Sequence, residues 1–141
     1  MPANLVNRAA VLIAGAVLLI HCTTAEQRKF NQYYLQGQQL YTKHCSNCHQ
    51  TGGTGLGRVY PPLAGSDFLK NNFEQTLCLM RHGISGELVV NEKSYNQPMP
   101  GIPALTDLEI AEIATYIYNS WGNKRGLVEV KDAALILKQC E

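Results

Sequence analysis

The chain has 141 residues, and its 12 lysines and arginines nearly balance its 11 aspartates and glutamates, for a formal net charge of +1. A chain of this length is expected to form one domain. Its sequence contains no run of basic residues and no glycine-rich phosphate loop, so we expect no nucleic-acid partner.

An apolar run stands near the N-terminus. Arg8 precedes it, residues 9–20 form it, and His21 and Cys22 follow. The run is long enough for the hydrophobic region of a signal peptide and shorter than the ~20 residues that span a bilayer. Residues 1–21 are therefore interpreted as a signal peptide or N-terminal membrane anchor, the alternative being a buried core helix.

The end of this run resembles a bacterial lipoprotein signal, in which the cysteine becomes the lipidated first residue of the mature chain. Here that cysteine is Cys22, while cleavage after Ala25 and retention of an uncleaved anchor stay open. We expect the chain on the periplasmic side of the bacterial inner membrane, tethered by a lipid on Cys22 or by the anchor. The soluble periplasm is the alternative.

Residues 22–31 are expected to be a linker, and helices joined by glycine- and proline-rich loops follow. Aromatic and apolar residues at helical spacing predict a first helix over residues 31–44. Residues 51–57 contain too many glycines for a regular element. Residues 60–63 should be extended, because a proline pushes its predecessor away from the helical region.

A short middle helix is predicted between an N-cap at Asn71 and an end at Gly83, with Glu74 as the reciprocal partner of the cap. Residues 87–95 alternate weakly between apolar and polar side chains. This alternation indicates a small hairpin around Asn91-Glu92.

The clearest helix is predicted over residues 106–120, where Thr106 and Glu109 form a capping box ahead of a broad apolar face. A last helix is predicted over residues 131–139. The strand signal is too thin for a sheet, so the fold class is all-α.

Cys45, Cys48 and His49 form a C-x-x-C-H motif, the signature of c-type haem attachment. Residues three apart on a helical turn project to the same side, so both thiols can reach the two vinyl groups of a haem. His49 follows at once and brings its imidazole to the iron. The motif predicts one covalently bound haem c, with His49 as an iron ligand.

Two other readings of the motif compete with haem. A dithiol redox pair would place C-x-x-C after a strand in a βαβ unit, whereas here it follows a predicted helix. A zinc site would complete Cys45 and Cys48 with Cys78 and His82. The zinc reading needs a far longer gap than small zinc fingers use, and it leaves His49 without a role.

The second axial iron ligand must come from a distant segment. Beyond the start residue, the methionines are Met80 and Met99. Met80 lies in a predicted helix among apolar neighbours, where methionine commonly fills core space. Met99 lies in a loop between Pro98 and Pro100, which restrict the backbone and lower the entropy cost of holding the sulfur. We therefore predict Met99 as the ligand.

The remaining cysteines are assigned by subtraction. With Cys22 given to the signal and two others to haem, Cys78 and Cys140 remain in an oxidising compartment. They predict a disulfide that clamps the last helix onto the middle one, the alternative being two buried free thiols.

Together, these residues resemble class I cytochromes c from Gln32 to Trp121. Gly37 and Tyr41 match the glycine and aromatic residue of the family's first helix. Ile113 and Tyr116 match the aliphatic and aromatic pair of its last helix. The resemblance implies a cytochrome c domain over residues 32–122, with a C-terminal helical extension, residues 123–141, packed on it.

The resemblance also assigns a role to Pro62, whose carbonyl would accept a hydrogen bond from the His49 imidazole, with the adjacent Pro61 as the alternative. Arg58 is expected to bind the cofactor through a haem propionate. Other candidate propionate donors are Tyr60, Tyr95 and Trp121.

A haem with histidine and methionine on its two sides has no open position, so the expected function is single-electron transfer rather than catalysis. Segments 95–100 and 119–123 are similar to those of bacterial cytochrome c subunits of respiratory oxidases and dehydrogenases. This similarity implies redox protein partners in a respiratory chain and no small-molecule substrate. The alternative is a haem enzyme, such as a peroxidase, or a diatomic-gas sensor with a displaceable sixth ligand.

Overall fold

The computed structural model describes residues 24–140, which form helices with two short antiparallel ribbons. In chain order the elements are α1 (Ala25–His44), α2 (Ser46–His49), α3 (Asp67–Asn71), α4 (Phe73–His82), β1 (Gly83–Ile84), β2 (Leu88–Val90), β3 (Lys93–Tyr95), β4 (Met99–Pro100), α5 (Asp107–Ile117) and α6 (Val130–Leu137). The predicted all-α class is confirmed.

Helix α1 begins six positions before the predicted start, so the expected linker over 22–31 is wrong from residue 25 onward. The Thr24 side chain accepts a hydrogen bond from the Gln27 amide at 3.2 Å, and Glu26 lies in the first turn, where a negative charge favours the helix. These first turns are largely polar and exposed. A prediction based on the spacing of apolar residues therefore could not include these turns.

Helix α1 crosses α5 at close range. A Cβ at Gly37 would overlap the backbone carbonyl of Glu112 and crowd the Cβ of Tyr116. Tyr41, only 1% exposed, packs its ring 5.3 Å from Tyr116 and 5.2 Å from Trp121, measured between centroids. Such aromatic contacts stabilise the crossing beyond simple burial.

Helix α5 has the predicted capping box, in which Thr106 and Glu109 bond reciprocally. It ends at Ile117 rather than at residue 120. Farther on, Trp121 and Gly122 adopt positive φ angles of 53° and 92°, so the chain turns away after the helix. The side-chain amide of Asn119 donates to the Thr115 carbonyl at 2.7 Å and so satisfies an acceptor at the end of the helix.

The middle of the chain contains α3, which was not predicted, followed directly by α4. The N-cap position of α4 is Asn72, and it makes no side-chain capping bond, so the capping box at Asn71 and Glu74 is wrong. The side-chain amide of Asn72 instead donates to the Phe68 carbonyl at 3.1 Å. Gly83 ends α4 with a φ of 76°, as predicted.

Strands β2 and β3 form the predicted hairpin, and Asn91 and Glu92 have the positive φ angles, 50° and 62°, of a two-residue turn. A second ribbon was not predicted. In it β1 pairs with β4, so Gly83 lies opposite Pro100 and Ile84 opposite Met99.

Helix α6 packs Ala133 and Leu137 into the core, beside α4 and α5. The predicted disulfide joins Cys78 to Cys140, with Cα atoms 5.5 Å apart and a sequence separation of 62. Closing a loop of this length removes unfolded-state entropy worth about 4 kcal/mol in the chain-entropy account. The disulfide thus fixes the C-terminal segment on α4.

Within residues 24–140, no helix is both long and apolar enough to cross a bilayer. The predicted signal over residues 1–21 and the predicted lipid site at Cys22 lie outside the described residues.

We predict that Gly37→Ala destabilises the protein by about 2 kcal/mol or more, because its Cβ must displace the Glu112 backbone. That cost outweighs the ~1 kcal/mol that alanine gains over glycine within a helix. Urea unfolding of the holoprotein measures the change. Gly52→Ala is the matched control, since a Cβ there is 3.7 Å from the Thr54 side chain and fits without strain. Equal stabilities of the two variants would contradict the crossing.

Candidate haem site

The C-x-x-C-H motif lies at the C-terminal end of α1 and forms the single turn α2. The Cys45 amide bonds the Tyr41 carbonyl at 2.8 Å, and the His49 amide bonds the Cys45 carbonyl at 2.9 Å. The two cysteines are free and partly buried. The motif is therefore fixed by helical hydrogen bonds to the helix that crosses α5.

His49 points its Nδ1 at the carbonyl oxygen of Pro61, 3.0 Å away. A carbonyl can only accept, so Nδ1 carries a proton, and in the neutral imidazole Nε2 then has a free lone pair. Burial lowers the pKa of His49, and the Pro61 hydrogen bond partly opposes this shift. The imidazole is thus held neutral and oriented, which is the form that coordinates a metal.

The carbonyl that His49 meets belongs to Pro61, and the assignment of this role to Pro62 is wrong. Register in this loop is set by the Leu63 and Ala64 amides, which both bond the Gly53 carbonyl, at 2.7 and 2.9 Å. Sequence alone could not choose between two adjacent prolines, because this register depends on bonds across the loop. Pro62 lines the cleft beside Pro61.

His49 opens into a cleft with an almost wholly apolar lining, as is usual for cofactor sites. Aliphatic side chains from α3, α4, β2 and α5 contribute to its walls: Leu69, Leu79, Val90 and Ile113. A neighbouring apolar pocket shares His49, Pro61, Leu88 and Met99 with the first. Cys45 lines one part of the cleft and Cys48 the other.

Residues 34–121 match the family model for cytochrome c. The chain belongs to the cytochrome c family. Its all-α fold and its C-x-x-C-H turn on an apolar cleft agree with the class I type, as the sequence predicts.

Similar proteins include cytochrome c-552 of Thermus thermophilus, 31% identical over 93 residues that cover 63% of this chain and 70% of that protein. The cytochrome c subunit of the quinone alcohol dehydrogenase of Gluconacetobacter polyoxogenes is 33% identical over 97 residues. That match covers 67% of this chain and 20% of the subunit, so it concerns only a part of the relative.

The cofactor of this cytochrome is haem c, an iron porphyrin that is covalently bound to the protein. The residues present fit that group. Cys45 and Cys48 supply two free thiols at the cleft edge, His49 supplies an oriented neutral nitrogen, and the cleft walls are apolar. Haem supplies the one-electron redox chemistry, and the chain supplies attachment, orientation and exclusion of water.

The structure disfavours both other readings of the motif. Cys78 is bonded to Cys140, and no cluster of three or more metal-ligating side chains occurs within residues 24–140, so the zinc set does not form. Burial raises the pKa of the Cys45 thiol to about 11, with Cys48 adding to the shift. Redox-active dithiols have lowered thiol pKa values instead.

The predicted propionate donors are not all at the cleft. Tyr60 and Tyr95 line its second part. Arg58 is exposed and lines neither part, so its role as a cofactor contact stays a prediction. Trp121 belongs to the aromatic cluster over Gly53, where a Cβ would collide with its indole ring.

Sequence reasoning also missed contacts that shape the site. A Cβ at Gly55 would overlap the Tyr60 carbonyl, so this glycine allows the loop after the motif to fold back on itself. The Tyr41 hydroxyl donates to the Gln50 carbonyl at 2.6 Å and ties that loop to α1. A tyrosine on the apolar face of a predicted helix would have indicated this bond, because a buried tyrosine hydroxyl usually finds a hydrogen-bond partner.

We predict that haem stays on the protein after acid-acetone extraction, because two thioether bonds hold it. Intact mass should include one haem for the native chain and for a Cys78→Ala/Cys140→Ala control, which keeps the motif. A Cys45→Ala/Cys48→Ala variant should release all haem in the same extraction. Complete loss of haem from the native chain would contradict covalent attachment.

Proposed function

We propose that this chain transfers single electrons through its haem c, with His49 and Met99 as the two axial iron ligands. The observation that carries the proposal is that the His49 imidazole and the Met99 side chain line both parts of one apolar cleft. Met99 belongs to β4, on a segment about 50 residues beyond His49, and so reaches the cleft from a separate part of the fold.

Burial and packing favour Met99 over Met80 as the distal ligand. Met80 is 5% exposed, belongs to the hydrophobic core and lines only one part of the cleft. Met99 is partly exposed and does not belong to that core. Core packing therefore accounts for Met80, whereas the position of Met99 in the cleft is explained by a ligand role.

Ligation by both residues accounts for electron transfer rather than turnover. With histidine and methionine on either side there is no position for substrate, and a thioether favours the reduced state, which raises the potential. The apolar walls exclude water from the cleft, and the Pro61 carbonyl keeps His49 in one orientation. A peroxidase or gas sensor would need a ligand that leaves readily.

The N-terminal sequence and the similar proteins each support a part of the proposed cellular role. The apolar run ending at Cys22 supports export and tethering on the periplasmic side of the inner membrane. The similarity to cytochrome c subunits of quinone alcohol dehydrogenases supports redox protein partners. We therefore place the chain as a membrane-tethered carrier or as the cytochrome subunit of a respiratory complex.

Met99→Ala should abolish the weak thioether-to-ferric-iron absorption band at the red end of the visible spectrum. It should also lower the reduction potential while the haem stays attached. The matched control is Met80→Leu, a nearly volume-conserving core change that should keep the band and cost less than about 1.5 kcal/mol of stability. Loss of the band in Met80→Leu and its retention in Met99→Ala would reverse the ligand assignment.

Cys22→Ala should move the protein from the membrane fraction to the soluble periplasm, because the acyl chains would have no attachment site. Fractionation and intact mass measure the change, and Cys140→Ala is the control cysteine variant that should stay with the membrane. Native protein that is already soluble and begins at Glu26 would contradict lipidation.

A further inference from the structure

The segment that carries Met99 leaves and re-enters the helical core at almost the same place. Residues 83–106, which we call the distal loop, connect the end of α4 to the start of α5. Arg81 lies two positions before the loop, and Asp107 is the first residue after it. A loop that begins and ends at one place can be held shut by a single side chain.

Arg81 makes that contact. Its Nη2 donates to the Leu105 carbonyl at 3.1 Å and to the Asp107 carboxylate at 2.8 Å. The Arg81 and Asp107 side chains are 23% and 40% exposed, so the ion pair is partly shielded from water. A hydrogen bond to a charged group in such surroundings is stronger than one between neutral groups.

The last part of the distal loop, residues 99–105, runs along α4 toward this ion pair. Met99 pairs with Ile84 in the β1–β4 ribbon, and the Ile102 amide bonds the Met80 carbonyl at 3.0 Å. A Cβ at Gly101 would overlap the backbone of Arg81 and His82. Arg81 therefore fixes the end of the segment that Met99 begins, residues 99–105.

Helix α4 is a rigid support for this contact. Leu77 and Met80 are buried in the core, and Cys78 of the same helix is bonded to Cys140. The Arg81 Nε is itself buried and finds no hydrogen-bond partner among residues 24–140, a cost that the two Nη2 bonds offset.

We infer that Arg81 is a positioning residue for the distal iron ligand: it closes the base of the distal loop and so holds the Met99 sulfur at the haem. The inference rests on the proposed His49/Met99 ligation. Without the guanidinium the loop opens more often, and Met99 leaves the iron while the helices stay folded.

The test compares Arg81→Leu with the native holoprotein. In urea the thioether band of the Arg81→Leu protein should disappear at a lower concentration than in the native protein, with a smaller change in the midpoint of helix loss by circular dichroism. Carbon monoxide should bind the ferrous variant about tenfold faster, which corresponds to ~1.4 kcal/mol in the opening equilibrium. Arg81→Lys, which keeps one charge but not the planar fork, should give a smaller effect in the same direction.

Glu129→Gln is the matched control. It breaks the ion pair between Lys29 and Glu129, and neither of these residues belongs to α4 or to the distal loop. The control should leave the band midpoint and the carbon monoxide rate unchanged. Equal shifts in Glu129→Gln and Arg81→Leu would overturn the inference, as would an Arg81→Leu protein with native values.

Failure of the ligand assignment gives a different result. If Met99→Ala keeps the band, the proposed ligation is wrong, and so is the positioning role of Arg81. If Met99→Ala loses the band and Arg81→Leu behaves as the native protein does, the ligation stands and only the positioning role is wrong.

Discussion

The close crossing of α1 over α5 is the contact on which the rest of this structure depends. It requires a residue without a Cβ at Gly37, because the Glu112 carbonyl occupies that space. The C-terminal end of α1 presents the C-x-x-C-H turn, and the N-terminal end of α5 receives the loop that carries Met99. One helix pair therefore sets the position of both chain segments that meet at the cleft.

Tyr41 links this crossing to the chemistry of the site. Its ring packs between the two helices, and its hydroxyl bonds the first carbonyl after the motif histidine. The loop then turns through glycines with positive φ and brings the Pro61 carbonyl to the His49 Nδ1. Burial favours the neutral imidazole and this one hydrogen bond orients it, so the state of His49 is set by its surroundings and by a backbone atom.

Local signals in the sequence predicted the features that depend on neighbouring residues. The capping box at Thr106, the turn at Asn91-Glu92 and the helix end at Gly83 are confirmed because each is a hydrogen-bond or φ requirement within a few residues. The Cys78–Cys140 disulfide was also predictable, but only through the count of remaining cysteines.

The features that the sequence did not predict depend on contacts between distant segments. The choice of Pro61 over Pro62 is set by bonds to Gly53, and the β1–β4 ribbon by the return of the loop to α4. The polar first turns of α1 gave no apolar period to detect. The chemistry of the site was thus predictable from its motif, whereas the geometry around it required the fold.

The most direct test of the account is a redox titration of the native holoprotein, followed by exposure of its ferrous form to carbon monoxide. Electron transfer through a haem with both axial positions filled predicts a single reversible one-electron transition and slow carbon monoxide binding. Rapid carbon monoxide binding by the native ferrous protein would contradict the account and favour a haem with an open or displaceable ligand.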